Sequence, residues 1–370
     1  MNDLYRHALD KFIDLSTKDV TAALSKENAI IGLQKLLSSY QENNISFDNV
    51  NVVALPDFTF TRNQLRWNAG FAYGCIIMLE PSENPIIPLE FRPNCCGVIL
   101  SKIRNWDGNR KSFCERLVEI IKSYEKIDLD DFKRRNHFVS ILQDRNDDFY
   151  CLFHGSFASV KRDSESLPGL YTERSQYWED KTKTNASFKD FKYLIGNPAK
   201  EYFDIYKIHE AFTIRQRELI FDDLFDDNHT QIFNSTHEGF FDINTILLGG
   251  YVDARSFECP IMLSPESSIP IVENCSSLRD LTENKCNSNL YCAPHGGGYA
   301  WPYVESAVIE NGTGQNYAQL TMTNNQSVMF CDNIGDMPFQ YRTNVANFWV
   351  EDKGAGRIVN DLQPIFFAKF

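Results

Sequence analysis

Apolar residues return every three to four positions in three stretches of this chain. The run "VTAALSKENAIIGLQKLLSSY" predicts a helix over residues 17–41. A second helix is expected over 111–124, with Phe113, Leu117, Ile120, Ile121 and Tyr124 on one stripe. A third is expected over 201–225, where Ile205, Ile208, Phe212 and Leu219 share a face. The opening "MNDLYRHALDKFIDL" reads as a further amphipathic helix, so residues 1–45 form an N-terminal helical region. Between these lie short apolar runs rich in Val, Ile, Phe and Tyr, the composition of strands: "NVVALP", "AYGCIIML", "CGVIL", "HFVSIL", "FYCLFHG" and "PIFFAKF". The last, with Pro364 to Phe367 apolar, is expected to be a strand buried in the core. Helices and strands mix without regular alternation, which predicts an α+β fold rather than a doubly wound sheet. No linker, repeat or low-complexity segment divides the chain, so residues 1–370 are expected to form a single domain.

With 43% hydrophobic residues among 370, the chain has ample material for a large core. It has no apolar run of 18 residues, the length a membrane-spanning helix requires. The N-terminus lacks the basic-then-apolar pattern of a secretory leader. Ten cysteines without a leader point to a reducing, cytoplasmic setting without disulfides, where N-x-S/T sequons carry no meaning. The absence of any CxxC pair removes the commonest structural zinc sites. A net charge of −13 argues for a soluble enzyme over a general nucleic-acid coat. The basic clusters at 133–135 and at Lys161–Arg162 are read as solvated faces.

Candidate chemistry begins at "YCAPHGGGYAWP", where His295 precedes three glycines. An HGGG-type esterase needs a serine on a G-x-S-x-G elbow, and the chain has none. Walker and Rossmann phosphate loops are also absent. Among the seven histidines, His7, His209 and His229 lie on helical or polar surface segments and are read as bystanders. His137, His154, His237 and His295 lie in or at the ends of strand-like runs, or beside glycine. None is paired at i, i+4, so a helix-borne HExxH site is excluded. Imidazoles delivered from several strand ends converge in the manner of catalytic metal sites. For any one of them taken alone, a hydrogen-bonded core histidine is the better explanation, and it is the four in like settings that raise the joint case.

The segment "VVALPDFTFTRNQLRWNAGFAYGCIIMLEPSENPIIPLEFRPNCCGVIL" resembles the opening of RtcB-type RNA ligases. That family reads MPD, an apolar glycine-containing strand, ISP, and then G-[FYV]-D-I-x-C-G. Further matches follow in order: "NHF" at 136–138, "FHGS" at 153–156, "THEGF", "PHGGG", "DMPFQYR" at 336–342 and "LQPIFFAKF". The resemblance covers residues 51–370 and implies an RtcB-like fold of mixed sheets with peripheral helices. It implies a GTP- and Mn2+-dependent RNA ligase joining 3′-phosphate or 2′,3′-cyclic-phosphate ends to 5′-hydroxyl ends. Cys96 would bridge two manganese ions, with His154 and His237 completing the first site and His137 serving the second. His295 would be the nucleophile that takes GMP from GTP, with Asp57 close by. Asn136, Gly297, Ser267, Tyr341 and Lys369 would contact the nucleotide. An archease-type activator is a further partner the resemblance implies.

Several positions depart from the family pattern. The aspartate three residues before the bridging cysteine is Pro93, so the second ion loses a carboxylate and is expected to bind more weakly, with Asn94 or Cys95 as substitutes. The guanine-reading glutamate is Ser140, which is expected to relax nucleotide selectivity. The asparagine after the third histidine is Glu238, the arginine of HGAGR is Tyr299, and the glycines before NHF are Lys133, Arg134 and Arg135. The GAGR at 354–357 lies too near the C-terminus to be the family motif. These departures leave two alternatives, a non-catalytic metal- and nucleotide-binding relative and a metal-dependent phosphoesterase acting on RNA ends.

Overall fold

The computed structural model describes residues 3–104, 106–123, 137–311, 316–330 and 334–369. It is an α+β arrangement of two large sheets and several small ones, with helices packed on their outer faces. The larger sheet has seven strands in the order His229–Thr236, Gly97–Ile103, Phe149–Gly155, Phe138–Gln143, Gly356–Ala368, Ile269–Asn274 and Phe257–Pro260. Every neighbouring pair in it is antiparallel. The second sheet has five strands, in the order Phe12–Asp14, Asn51–Thr59, Tyr73–Met78, Thr245–Leu248 and Glu238–Asp242. The edge strand His229–Thr236 of the first sheet runs through His237 directly into the edge strand Glu238–Asp242 of the second. That crossing fixes where the two sheets meet.

Alternation along Asn51–Thr59 buries both faces of this strand. Val52 and Ala54 enter one core with the helix Val20–Glu42, while Val53 and Leu55 enter another with Ile76, Leu247 and Trp349. A strand buried on both sides reads as a continuous apolar run, as "NVVALP" does. Phe113, Leu117 and Ile121 of the helix Arg110–Ser123 cover the seven-stranded sheet through Ile99, Val139, Ile141 and Phe153, as their spacing predicts; Tyr124 lies outside the described residues. The helix over 17–41 is found at Val20–Glu42, with the Asp19 carboxylate accepting from the Ala22 amide at its start.

Three expectations need correction. The opening helix stops at Asp10, and Phe12–Asp14 is a strand parallel to Asn51–Thr59. Phe12 and Ile13 are buried there, and a β-edge with waiting partners outweighs one more helical turn. The third helix spans Asn197–Phe225, but Ile208 is exposed; the buried stripe is Tyr202, Ile205, Tyr206, His209, Thr213, Arg217 and Phe221. Its polar members are hydrogen-bonded, so apolarity alone pointed to a neighbouring face. Finally, "PIFFAKF" is a strand as far as Ala368, but only half-buried, with Phe366 stacked on Trp106 and Phe367 exposed.

Candidate functional site

Strand order explains how distant residues converge. Gly97–Ile103 and Phe138–Gln143 flank Phe149–Gly155, and both run antiparallel to it. Their starts and its end therefore share one edge of the sheet. Cys96 precedes the first strand, His137 precedes the second, and His154 lies near the end of the central one, paired with Val98 and Phe138. On the far side Thr236 pairs with Gly97, and the His237 amide donates to the Cys96 carbonyl at 2.9 Å. Four adjacent strands thus deliver His237, Cys96, His154 and His137 to a single edge.

The side chains meet through their ligating atoms. Cys96 Sγ lies 3.3 Å from His137 Nε2 and 3.4 Å from His154 Nε2, and His154 Nε2 lies 3.4 Å from His237 Nε2. All four residues are buried. Cys96, His137 and His154 form the compact group, with ligating atoms within 4.8 Å of one another, and His237 stands next to His154. A neutral imidazole offers one donor and one acceptor, so three Nε2 atoms and a thiol facing one another satisfy each other only in part. A divalent cation would accept the lone pairs of Cys96, His137 and His154 together, with His237, whose Nδ1 is buried without a hydrogen-bond partner, alongside. Burial, reinforced by the charges of His295, His154 and Arg217, pushes the His237 pKa well below the usual imidazole range. Its ring is therefore neutral, the form that binds metals.

The loop before Cys96 is shaped to aim it. The Asn94 side-chain oxygen accepts from the Cys96 amide at 2.8 Å, and Cys95 adopts a left-handed conformation with φ of 54°. This turn sends Cys96 toward the cluster and Cys95 into the core against Tyr202 and Tyr206. Cys95 is therefore no substitute ligand, whereas Asn94 does line the cavity beside the cluster.

His295 arrives from the second sheet's side. Its Nδ1 lies 2.7 Å from Asp57 Oδ2, which also accepts from the His295 and Gly296 amides at 3.3 Å. Asp57 is fully buried, while the His295 side chain keeps 15% exposure toward the cavity. Burial opposes charge on His295, yet the Asp57 hydrogen bond and the charges of Asp57 and Glu238 carry its pKa above the ordinary 6.5. The His237 and His295 rings are 4.7 Å apart, so the histidine sits beside the cluster. The glycines after it serve close packing: Gly298 has φ of +63°, and a Cβ there would run into the Asp57 carbonyl.

Gly249 is also set by this geometry. Its φ is +79°, and a Cβ would fall 2.7 Å from His295 Cε1 and 3.0 Å from Nδ1. Gly249→Ala is expected to cost about 1–2 kcal/mol of stability from left-handed strain and to push His295 off Asp57. Denaturant unfolding checks the first effect; a drop of the His295 pKa toward 6.5, read by NMR titration, checks the second.

A cavity of about 360 Å³ opens over these residues, lined by Cys96, His137, His154, His237, His295 and Tyr341 among others. Gly297 lines it. Ser267 does not; it hydrogen-bonds to Ser264, which does. Lys369 is exposed just beyond Ala368, the strand's last residue, which pairs with Val139, and is not among the lining residues. Ser140 is buried with its hydroxyl donating to the Phe366 carbonyl, away from the cavity. Asn136 and residues 133–135 lie outside the described residues. His7, His209 and His229 are all remote from the cavity, but His209 is a buried histidine bonded to the Pro168 carbonyl rather than a surface one. Arg357 of the GAGR run pairs with Glu273 on the sheet surface.

Sequence reasoning missed an ion pair in the cavity wall. Arg66 Nη2 lies 2.8 Å from Glu238 Oε2, and the guanidinium also donates to the Phe91 and Arg92 carbonyls and to the Tyr73 hydroxyl. Its only signal was Glu238 beside His237; nothing in "NQLRW" marks Arg66. Compared with protein-family models and with curated proteins, the chain matches none at a significant level.

Proposed function

We propose that this protein is a divalent-metal-assisted RNA ligase of the RtcB kind, acting through a nucleotidylated His295. The observation that carries this reading is the His295–Asp57 pair, fixed at 2.7 Å beside a thiol–imidazole cluster and open to a cavity. With Nδ1 donating to Asp57, Nε2 keeps the ring's lone pair and is the nucleophilic atom. Attack of Nε2 on the α-phosphorus of GTP forms a P–N bond and releases pyrophosphate. An oxygen of the RNA 3′-phosphate then takes the GMP and frees the imidazole. Attack of the 5′-hydroxyl on the activated 3′-phosphorus closes the phosphodiester and expels GMP. Neutral imidazole leaves readily, which suits it to both transfers. A divalent ion held by the cluster would neutralise charge on the phosphoryl oxygens. Asp57 positions the ring throughout and stabilises the positive charge of the nucleotidylated, Nδ1-protonated ring, from which neutral imidazole then departs.

The base of the nucleotide would lie toward Tyr341, whose ring clusters with Tyr299 and Phe339 at one wall of the cavity. Stacking on an aromatic ring contributes about 1–3 kcal/mol per base. Tyr341→Ala is therefore expected to raise the GTP concentration for half-maximal reaction by about tenfold or more, at unchanged metal content. The ligase reading itself is tested by incubating the protein and GTP with one RNA ending in a labelled 3′-phosphate and a second beginning with a 5′-hydroxyl. A GTP-dependent joined product that retains the label is expected. Released phosphate without joined product would make the protein a phosphoesterase, and no change in either RNA would leave a non-catalytic binding protein.

A further inference from the structure

The donor set itself speaks to which ion the cluster takes. One thiol and three imidazoles meet at the sheet edge, and among the described residues no carboxylate joins the group. Among the described residues, Glu238 is the one acidic residue lining the cavity; it is tied to Arg66, and Asp57 is tied to His295. Three residues before Cys96, where the resemblance calls for an aspartate, stands Pro93. Behind Cys96 lies Arg217, fully buried, so close that a Cβ on Gly97 would fall 2.7 Å from its Nη1. Its Nε donates to Asn234 at 2.9 Å, while Nη1 and Nη2 have no hydrogen-bond partner, so this cation's charge remains available to Cys96.

We infer that the cluster is a single-ion centre held by Cys96, His137 and His154, with His237 alongside, and that it selects zinc- or cobalt-like ions over manganese. Thiolate and imidazole are soft-to-borderline donors, whereas manganese favours carboxylate, carbonyl and water oxygens and stands lowest in the affinity order of the first-row divalent ions. Charge points the same way. One thiolate beside the Arg217 guanidinium cannot offset two dications, and the carboxylate that would help is absent. Three protein ligands also suit a catalytic ion that keeps a position for substrate. This inference deepens the proposed function by naming the ion at the same site, and it holds whether or not His295 takes up a nucleotide.

Cobalt makes the test direct. Full-length protein stripped by chelation is titrated with Co2+ and followed in the visible and near-ultraviolet. The expected result is about one ion per chain, with intense d–d bands and a sulfur-to-cobalt charge-transfer band. Cys96→Ser should lose the charge-transfer band, and His137→Gln and His154→Gln should weaken binding by about tenfold or more. One equivalent of Zn2+ should displace the cobalt, while a hundredfold excess of Mn2+ should leave the spectrum in place. Two manganese ions binding the stripped protein with similar affinity, or manganese displacing cobalt at parity, would overturn the inference. So would a charge-transfer band that survives in Cys96→Ser. If that variant fails to fold, the competition between ions in the unmodified protein decides alone. Covalent labelling of His295 is scored separately. Its failure with this metal profile intact removes the ligase reading only, and labelling supported by a manganese pair removes the present inference only.

Discussion

Asp57→Asn is expected to slow nucleotidylation of His295 by on the order of 10²–10⁴-fold, the range that positioned proton-transfer and orienting groups contribute. Asp57 Oδ2 holds the imidazole through Nδ1 at 2.7 Å and also takes two backbone amides, so ring and loop are oriented by one oxygen. An asparagine keeps the shape and removes the charge. It also puts an uncharged amide at a fully buried position where Asp57 Oδ1 has no hydrogen-bond partner. The pH dependence supplies a second, independent readout. Asp57 holds the His295 pKa above 6.5, and only the neutral ring attacks, so labelling should rise with pH through a midpoint above that value. In the variant the midpoint should fall toward or below 6.5 as the maximal rate drops. Labelling rates measured across pH check both, and an unchanged maximum with an unmoved midpoint would remove Asp57 from the machinery.

The second large effect is on stability. Glu238→Gln should cost about 3–5 kcal/mol, because it leaves the Arg66 guanidinium, 1% exposed, without its counter-charge. Removing both charges, as in Arg66→Met with Glu238→Met, should recover most of that loss, since the pair's own desolvation disappears with it. The sign of the pH dependence follows from the glutamate. Burial pushes its pKa up, but Arg66 more than offsets this, and the net value lies below the ordinary 4.5. Its contribution is therefore complete above pH 4.5 and is lost as pH falls through the lowered folded value. Denaturant unfolding at neutral pH should show the full gap between parent and variant, and unfolding in acid a narrower one. A gap that widened in acid would contradict the pairing.

Much of the architecture was legible because it is local. The strand runs at 51–56, 72–79 and 149–155 announce themselves by composition, and the helices at 20–42 and 110–123 by spacing. Histidines at strand ends were visible as a class, and the antiparallel order of four neighbouring strands is what gathers them. That order is not written in any one segment. The same holds for Arg66 with Glu238, 172 positions apart, and for Arg217 behind Cys96: both depend on pairings that only the folded chain creates. Polar residues account for the misread helix face, since His209, Thr213 and Arg217 are buried with hydrogen-bond partners where Ile208 is exposed. The helix expected through Leu15 fails because strand pairing at Phe12–Asp14 is non-local. Lys369 was carried by motif order, which fixes a place in the chain but not which residue lines the cavity.

The most direct measurement is covalent. Protein loaded with a divalent ion is incubated with GTP labelled at the α-phosphate, then denatured and separated from free nucleotide. The expected result is a GMP adduct that is labile in acid, stable in base as a phosphoramidate is, and mapped by peptide sequencing to His295. It should be absent from His295→Ala protein that still folds and holds its metal. No adduct on the unmodified protein, or an undiminished adduct on His295→Ala, would contradict the proposed function.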